Sequence, residues 1–258
     1  MNQNLVSYIL HLGDNALVIG HRNSEWTGHG PILEQDIAIS NIALDLIGQA
    51  RNFYQYAAQL SGKNDVTEDT FAYLRDAWDF KNCLLVEQPN GDWAKTILRQ
   101  FFFSTYQYYF YHQLQQSADA QLAAIAEKSL KEVTYHLKWS AEWVIRLGDG
   151  TDESRQRMIK AIDDLWKFTG ELFVPCDYEA ELLKQKISVD LNIIKSSWTK
   201  KINEVFEEAT LAVPPERTEK GELIWMQTGG KSGQHTEHLG YLLAEMQFLQ
   251  RAYPGSEW

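Results

Sequence analysis

Residues 32–60 read ILEQDIAISNIALDLIGQARNFYQYAAQL. Ile37, Leu44, Ile47, Ala50, Tyr54 and Ala57 recur there at the spacing of one helical face, with Gly48 the only weak helix former. Pro31 stands where a helix accepts proline, in its first turn, and Ser61-Gly62-Lys63-Asn64 stops the run. Nothing in this stretch alternates with the period of a strand. It predicts one long amphipathic helix.

The same reading extends in both directions. Leu5, Ile9, Leu12, Ala16 and Ile19 mark a helix over residues 5–21. Further helices are expected over 68–87, 93–117, 119–147, 152–173, 191–211 and 235–251, separated by proline and glycine clusters such as Pro89-Asn90-Gly91, Gly148-Asp149-Gly150 and Pro214-Pro215. The chain is therefore all-α, with helices long enough to pack as an up-down bundle and others added outside it. No repeat and no Ser/Pro/Gly-rich linker divides it, so residues 1–258 are expected to form one domain. The least regular segment, 213–233, is a loop of a length that usually carries function or flexibility.

Composition limits the function. The 258 residues carry 24 Lys plus Arg against 35 Asp plus Glu, a net charge of −11, with no basic run. Such a surface repels phosphate backbones and anionic lipid, which argues against nucleic-acid and membrane partners. No apolar run approaches the ~20 residues of a membrane span. The first 20 residues lack Lys and Arg and are interrupted by His11 and Asp14, unlike a signal peptide. Two separated cysteines, Cys83 and Cys176, form neither a disulfide framework nor a zinc knuckle. The expectation is a soluble cytoplasmic protein with reduced thiols.

A bundle with inward polar residues poses one question, whether it holds two metal ions. A di-iron bundle takes Glu from two helices and Glu-x-x-His from the other two, because i and i+3 project side by side toward one ion. The histidines are His11, His21, His29, His112, His136, His235 and His238. Three residues before them stand Tyr8, Val18, Trp26, Tyr109, Val133, Ser232 and His235, none acidic. From Trp93 to Ala118 there is no Asp or Glu at all, so that helix offers no carboxylate ligand.

The outline of such a site persists. Asp14 interrupts an apolar helix. Glu34, Asn41, Asp45 and Asn52 follow one another at near-heptad spacing, with Gly48 where Asp45 would need its histidine. Glu132 is followed by Tyr135 at i+3, with His136 one step late. Asp14, Asp45, Glu132 and His136 are therefore expected to fill a metal-free interior with charged hydrogen bonds. The bland alternative is that they are exposed or mutually satisfied polar residues.

Three other features invite a functional reading. The aromatic run Phe101, Phe102, Phe103, Tyr106, Tyr108, Tyr109, Phe110, Tyr111 covers more than one helical face, which fits either a core helix or an interface with another chain. Gly229-Gly230-Lys231-Ser232-Gly233 lacks the strand and first glycine of a phosphate loop, since Trp225 stands five before Gly230. His235 and His238, near Glu237 and Glu245, would need a ligand from elsewhere to hold zinc. No nucleophile motif appears.

Taken together, several longer motifs carry a resemblance. They are Gly13-Asp14-Asn15 with Arg22 and Glu25-Trp26-x-Gly28-His29; Asn41-Ile42-x-Leu44-Asp45-Leu46-x-Gly48-Gln49-Ala50-Arg51; and Leu85-Val86-Glu87-Gln88-Pro89-Asn90-Gly91. Lys131-Glu132-x-x-Tyr135-His136-Leu137 and Arg146-Leu147-Gly148-Asp149-Gly150-Thr151 follow. Thr228-Gly229-Gly230-Lys231-x-Gly233-x-His235-Thr236-Glu237-His238-Leu239-Gly240 and Ala244-Glu245-Met246-Gln247 close the series. In this order they resemble the C-subunit family of phenylacetyl-CoA epoxidase, the ring 1,2-phenylacetyl-CoA monooxygenase, along essentially the whole chain.

The resemblance implies a ferritin-like bundle and a role in aerobic phenylacetate breakdown. It implies a multicomponent oxygenase that uses dioxygen and NADPH to epoxidise phenylacetyl-CoA. A related A subunit would carry the di-iron centre and bind the CoA thioester, with the present chain as its structural, non-catalytic partner holding no cofactor. A small B subunit and a reductase with flavin and iron–sulfur groups would complete the system. Alone, the chain could self-associate. The alternative reading is a free-standing di-iron oxidase or ferroxidase with Asp45, Glu132 and His136 as unusual ligands.

Overall fold

A computed structural model describes residues 2–215, 220–222 and 224–256. Positions 216–219 and 223 of the expected 213–233 loop lie outside the described residues. The helices, in chain order, are α1 (Gln3–Ser24), α2 (Leu33–Ser61), α3 (Glu68–Tyr73), α4 (Leu84–Glu87), α5 (Trp93–Leu114), α6 (Ala120–Gly148), α7 (Asp152–Leu165), α8 (Asp177–Lys184), α9 (Leu191–Glu208), α10 (Glu237–Met246) and α11 (Phe248–Ala252). Short 3-10 turns join some of them, and no strand occurs among the described residues. None of these helices is long and apolar enough to cross a membrane.

The long helices start where local chemistry starts them. The Asn2, Asp92, Asp119 and Asp190 side chains each accept a backbone N–H from the first turn of α1, α5, α6 and α9. Gly62, at φ +65°, closes α2 in the left-handed conformation. Pro31 lies two residues before α2 rather than in its first turn.

The chain divides into two compact units. Unit 1 comprises Met1–Pro89, Cys176–Lys186 and Gly229–Trp258; unit 2 comprises Asn90–Pro175 and Ile187–Thr228. Unit 1 is built on α1 against α2. A Cβ on Gly13 would lie 2.6 Å from the Tyr54 ring, and one on Gly20 would lie 3.1 Å from Ile47. As α1 advances, its neighbours on α2 recede, so the two helices are antiparallel. The missing Cβ at Gly13 is what lets the Tyr54 ring lie close against α1, with its hydroxyl on Asp14.

Unit 2 is built on α5 against α6, with α7 and α9 also packed on α5. The aromatic run is core. Phe101, Phe102, Phe103, Tyr106, Phe110 and Tyr111 are buried, while Tyr108 and Tyr109 are half-buried. Phe102 meets Trp166, Trp198 and Phe206 at ring separations of 5.7, 5.7 and 6.1 Å. A helix apolar nearly all round is surrounded by its own unit here.

Three expected helices are shorter than their patterns suggested. The 68–87 stretch breaks after Tyr73, because the backbone N–H groups of Lys81 and Cys83 donate to the Asp14 and Asn15 side chains of α1 instead. The 152–173 stretch leaves α-helix at Leu165 and continues as 3-10 turns. The 235–251 stretch begins only at Glu237 and is interrupted at Gln247, whose side chain donates to the Ala72 and Arg75 carbonyls at 3.1 and 3.0 Å. One helix had no counterpart in the sequence reading: α8, started by the Glu179 carboxylate turning back to the Cys176 N–H at 2.9 Å. Neither Cys83 nor Cys176 is in a disulfide.

Candidate functional site

Among the described residues, the interior of unit 1 contains three carboxylates, Asp14, Glu87 and Glu179, each at most 3% exposed. Burying a carboxylate is costly unless a cation and hydrogen bonds replace its water. Each of the three has been given both.

Asp14 sits midway along α1. It accepts the Tyr54 hydroxyl at 2.5 Å and the Lys81 backbone N–H at 2.7 Å. Arg75 binds it through both terminal nitrogens, the planar fork matching the two oxygens. The Arg75 Nε donates to the Phe71 carbonyl at 2.7 Å, and the guanidinium lies 4.2 Å from the centre of the Phe80 ring. Burial alone would lower the Arg75 pKa, but the Asp14 charge reverses this and raises it. Burial, with Asp14 next to it, pushes the Tyr54 phenol well above its ordinary range.

Glu87 closes α4 and acts as acceptor for four bonds. Oε2 takes Asn82 Nδ2 and His235 Nδ1, each at 2.8 Å; Oε1 takes the Thr236 N–H at 2.6 Å and the Thr236 hydroxyl at 2.7 Å. His235 Nε2 donates at 2.9 Å to the Phe80 carbonyl. Both ring nitrogens face acceptors, which only the imidazolium satisfies. Burial opposes that charge, but the Glu87 hydrogen bond and charge outweigh it, so the His235 pKa is raised. Arg22 clamps the same corner, donating to the Glu87 carbonyl through Nε and Nη2 at 3.2 and 3.0 Å and to the His238 carbonyl at 3.2 Å.

Glu179 on α8 holds Lys231 at 3.1 and 3.3 Å, and both side chains are 3% exposed. The Tyr178 hydroxyl donates to the Lys231 carbonyl at 3.1 Å. Behind this pair lies His11, whose Nδ1 donates to the Lys81 carbonyl at 2.7 Å; Asn15 donates to Nε2 at 3.3 Å. Burial drives the His11 pKa down to about 4, against the partly offsetting charge of Glu179. His11 is therefore neutral at physiological pH, and its 4.0 Å approach to Glu179 is a contact with a neutral ring rather than an ion pair.

The glycine segment supplies Lys231 by close approach. A Cβ on Gly230 would fall 2.3 Å from the Asn82 carbonyl oxygen, and one on Gly233, at φ +88°, would fall 2.6 Å from that of Trp78. This segment, which only superficially looks like a phosphate loop, is a backbone fitting that seats a buried lysine.

Of the four residues singled out in the sequence, Asp14 lies at the centre of this network. Asp45, on α2, is half-buried, and the bonds to Asp14 come from Tyr54, Arg75 and Lys81. Glu132 and His136 belong to α6 of unit 2, half-buried and buried respectively. After burial itself and the opposing Gln107 hydrogen bond, the Glu132 charge helps to raise the Tyr111 pKa. Sequence spacing does not reveal Arg75, Glu87, Glu179, Lys231 and His235 as partners. Glu87, Lys231 and His235 do lie in the quoted motifs, the one signal that points at them.

Chemically, the three acids are saturated. Their oxygens are taken by N–H and O–H donors from Arg75, Lys231, His235, Tyr54, Thr236, Asn82 and three backbone amides. A divalent cation would have to displace a protein cation at each. Among the described residues no three His, Cys, Asp or Glu side chains converge in the manner of a metal site. This donor set does not fit a di-iron centre.

Comparison with known proteins adds the family. The model of a family described as phenylacetic acid catabolic protein matches residues 1–258. The chain is 50% identical over 258 residues to the C subunit of 1,2-phenylacetyl-CoA epoxidase from Escherichia coli (strain K12), covering 100% of both sequences.

Proposed function

Because the chain belongs to the phenylacetic acid catabolic protein family, we propose that it is the non-catalytic, structural subunit of a multicomponent phenylacetyl-CoA 1,2-epoxidase. It pairs with the di-iron catalytic A subunit and stabilises it. The small B subunit and a reductase carrying flavin and iron–sulfur groups, fed by NADPH, complete the assembly in the cytoplasm. The observation that carries the non-catalytic part is the saturation of Asp14, Glu87 and Glu179 by protein cations.

What this chain's residues do is hold a scaffold. Arg75, Lys231 and His235 each neutralise one acid and so fix α1, α2, α8 and the 229–238 segment of unit 1 against one another. A rigid scaffold can orient a partner's helices without entering its chemistry.

Two measurements on purified protein test this. Co-expression with the catalytic subunit should give a tight 1:1 complex burying well over ~1,000 Å². Anaerobic loading of the isolated chain with Fe(II), followed by desalting, should leave far less than one iron per chain. Failure to take up the partner would sink the scaffold role. Two irons with the ultraviolet absorption of an oxo-bridged pair would favour the free-standing oxidase built on Asp45, Glu132 and His136.

A further inference from the structure

Helix α2 is apolar on two faces, and unit 1 covers one of them. Ile39, Ile42, Leu46 and Phe53 are fully buried on the side where α2 packs on α1. Residues two apart stand about 200° apart around a helix axis. The opposite side therefore carries Ile37 and Leu44, which are 52% and 66% exposed. Along it Glu34, Ile37, Asn41, Leu44, Gly48 and Arg51 follow at intervals of three, four, three, four and three. That is the heptad spacing of a seam between helices. Glu34, Asn41 and Arg51 are exposed as well, Gly48 is half-buried, and Leu33 flanks the seam at 72% exposure. Exposed apolar residues grouped on one face, rather than scattered, mark a contact surface.

The seam is its own complement. Laid antiparallel on a copy of itself about an axis between Ile42 and Ala43, position 34 meets 51, 37 meets 48 and 41 meets 44. Every layer then joins two members of the seam. At each end Glu34 faces the Arg51 of the other copy, so the charges are opposite. Arg51 already donates through Nε to Glu68 at 3.2 Å, but its side chain is 67% exposed, which leaves the other guanidinium donors in solvent. Ile37 faces Gly48, where a Cβ would meet nothing within 4 Å among the described residues, a hole for an isoleucine knob. Asn41 and Leu44 share the two central layers, where one asparagine fixes the register at some cost in affinity. A two-fold contact requires such self-complementarity, because both chains offer the same patch. A seam shaped for a different chain is under no such requirement.

We propose that α2 pairs through this face with α2 of a second copy of the chain, antiparallel and about a two-fold axis. From Glu34 to Arg51 the seam runs about 26 Å. A single helix pair of that length is a small interface, so the dimer forms in the micromolar range.

Sedimentation equilibrium of the full chain up to about 200 μM tests this. The wild type should dimerise, and Ile37→Glu should be monomeric throughout; Leu44→Glu replaces it if circular dichroism shows that variant unfolded. Glu34→Arg and Arg51→Glu each set like charges against one another at both ends, and each should weaken the dimer by about tenfold. An equimolar mixture of these two variants should recover wild-type affinity, because in the mixed dimer both ends again pair opposite charges. A wild type that stays monomeric, a dimer indifferent to Ile37→Glu, or a mixture no tighter than its components would overturn the proposal. A monomeric wild type whose capture of the catalytic subunit is lost in Ile37→Glu would overturn it too, by giving the face to that partner instead.

Discussion

His235 bridges two acceptors, the Glu87 carboxylate at 2.8 Å and the Phe80 carbonyl at 2.9 Å, and so is held as the imidazolium inside unit 1. Its pKa is raised above the ordinary 6.5. The folded state therefore binds this proton more tightly than the unfolded chain. The stabilisation is complete below pH 6.5 and is lost as pH rises through the folded-state value. Melting temperature measured on the alkaline side of neutrality should fall with pH. In His235→Gln that slope should flatten, and stability at about pH 6 should drop by about 3 kcal/mol because Glu87 is left buried without its cation.

His11 gives the opposite dependence. Its pKa is pushed down to about 4, so between 6.5 and that value the unfolded chain takes up a proton that the folded chain refuses. Stability should decline as pH falls through this window, by about 3 kcal/mol at its acid end. Urea titrations at about pH 7 and about pH 4.5 measure the loss. His11→Asn should be less stable at neutral pH yet less sensitive to acid. An unchanged acid slope in that variant would assign the decline to other groups.

The Asp14–Arg75 pair should behave as a coupled unit. Asp14→Ala leaves a guanidinium buried and should cost about 3–5 kcal/mol. Arg75→Met should cost a similar amount, while the double variant should recover much of the loss, since shape-matched apolar replacement of a buried pair is tolerated. Asp45→Ala, at a half-buried position, should cost less than about 1 kcal/mol. Chemical denaturation of the wild type, the Asp14 and Arg75 single variants and their double completes the cycle, and additive single losses would show the pair to be uncoupled.

Two glycines should respond with opposite sign. Gly230→Ala drives a methyl group into the Asn82 carbonyl and should destabilise the chain by several kcal/mol, on the order of a lost core contact. Gly48, in the interior of α2, has nothing within 4 Å of where a Cβ would be. Gly48→Ala should stabilise the isolated chain by about 1 kcal/mol. Scanning calorimetry distinguishes the two.

The long helices are legible because their periodicity runs for many turns, which averages over individual residues. The boundaries read for α2, α5 and α6 differ from the structure by no more than a few residues. Residues 68–87 are not legible as broken helix. Their fate is decided by side chains far away in sequence, Asp14 67 residues before Lys81 and Asn15 68 residues before Cys83. Asp14 itself stands out as an acid in an apolar helix. Its cation does not, because Arg75 looks like any surface arginine until the chain folds back 61 positions. Lys231 is hidden in the same way, its glycine neighbours suggesting a loop open to solvent. Asp45, Glu132 and His136 rest on spacing alone, and spacing reports the face of a helix, not what packs against it.

Glu87 must wait 148 residues for His235, and Arg22 waits 216 for the His238 carbonyl. All of unit 2 is translated within that interval. On the ribosome, then, unit 2 has its whole sequence available while unit 1 still lacks the cation for one buried acid and, at Glu179, the lysine for another. The last pieces of the scaffold lie beyond residue 229, so a nascent chain that has not yet reached Lys231 and His235 carries uncompensated negative charge in its would-be core. Glu179 and Glu87 gain their cations only once Lys231 and His235 have been added, so the interior of unit 1 is closed electrostatically from its late segment.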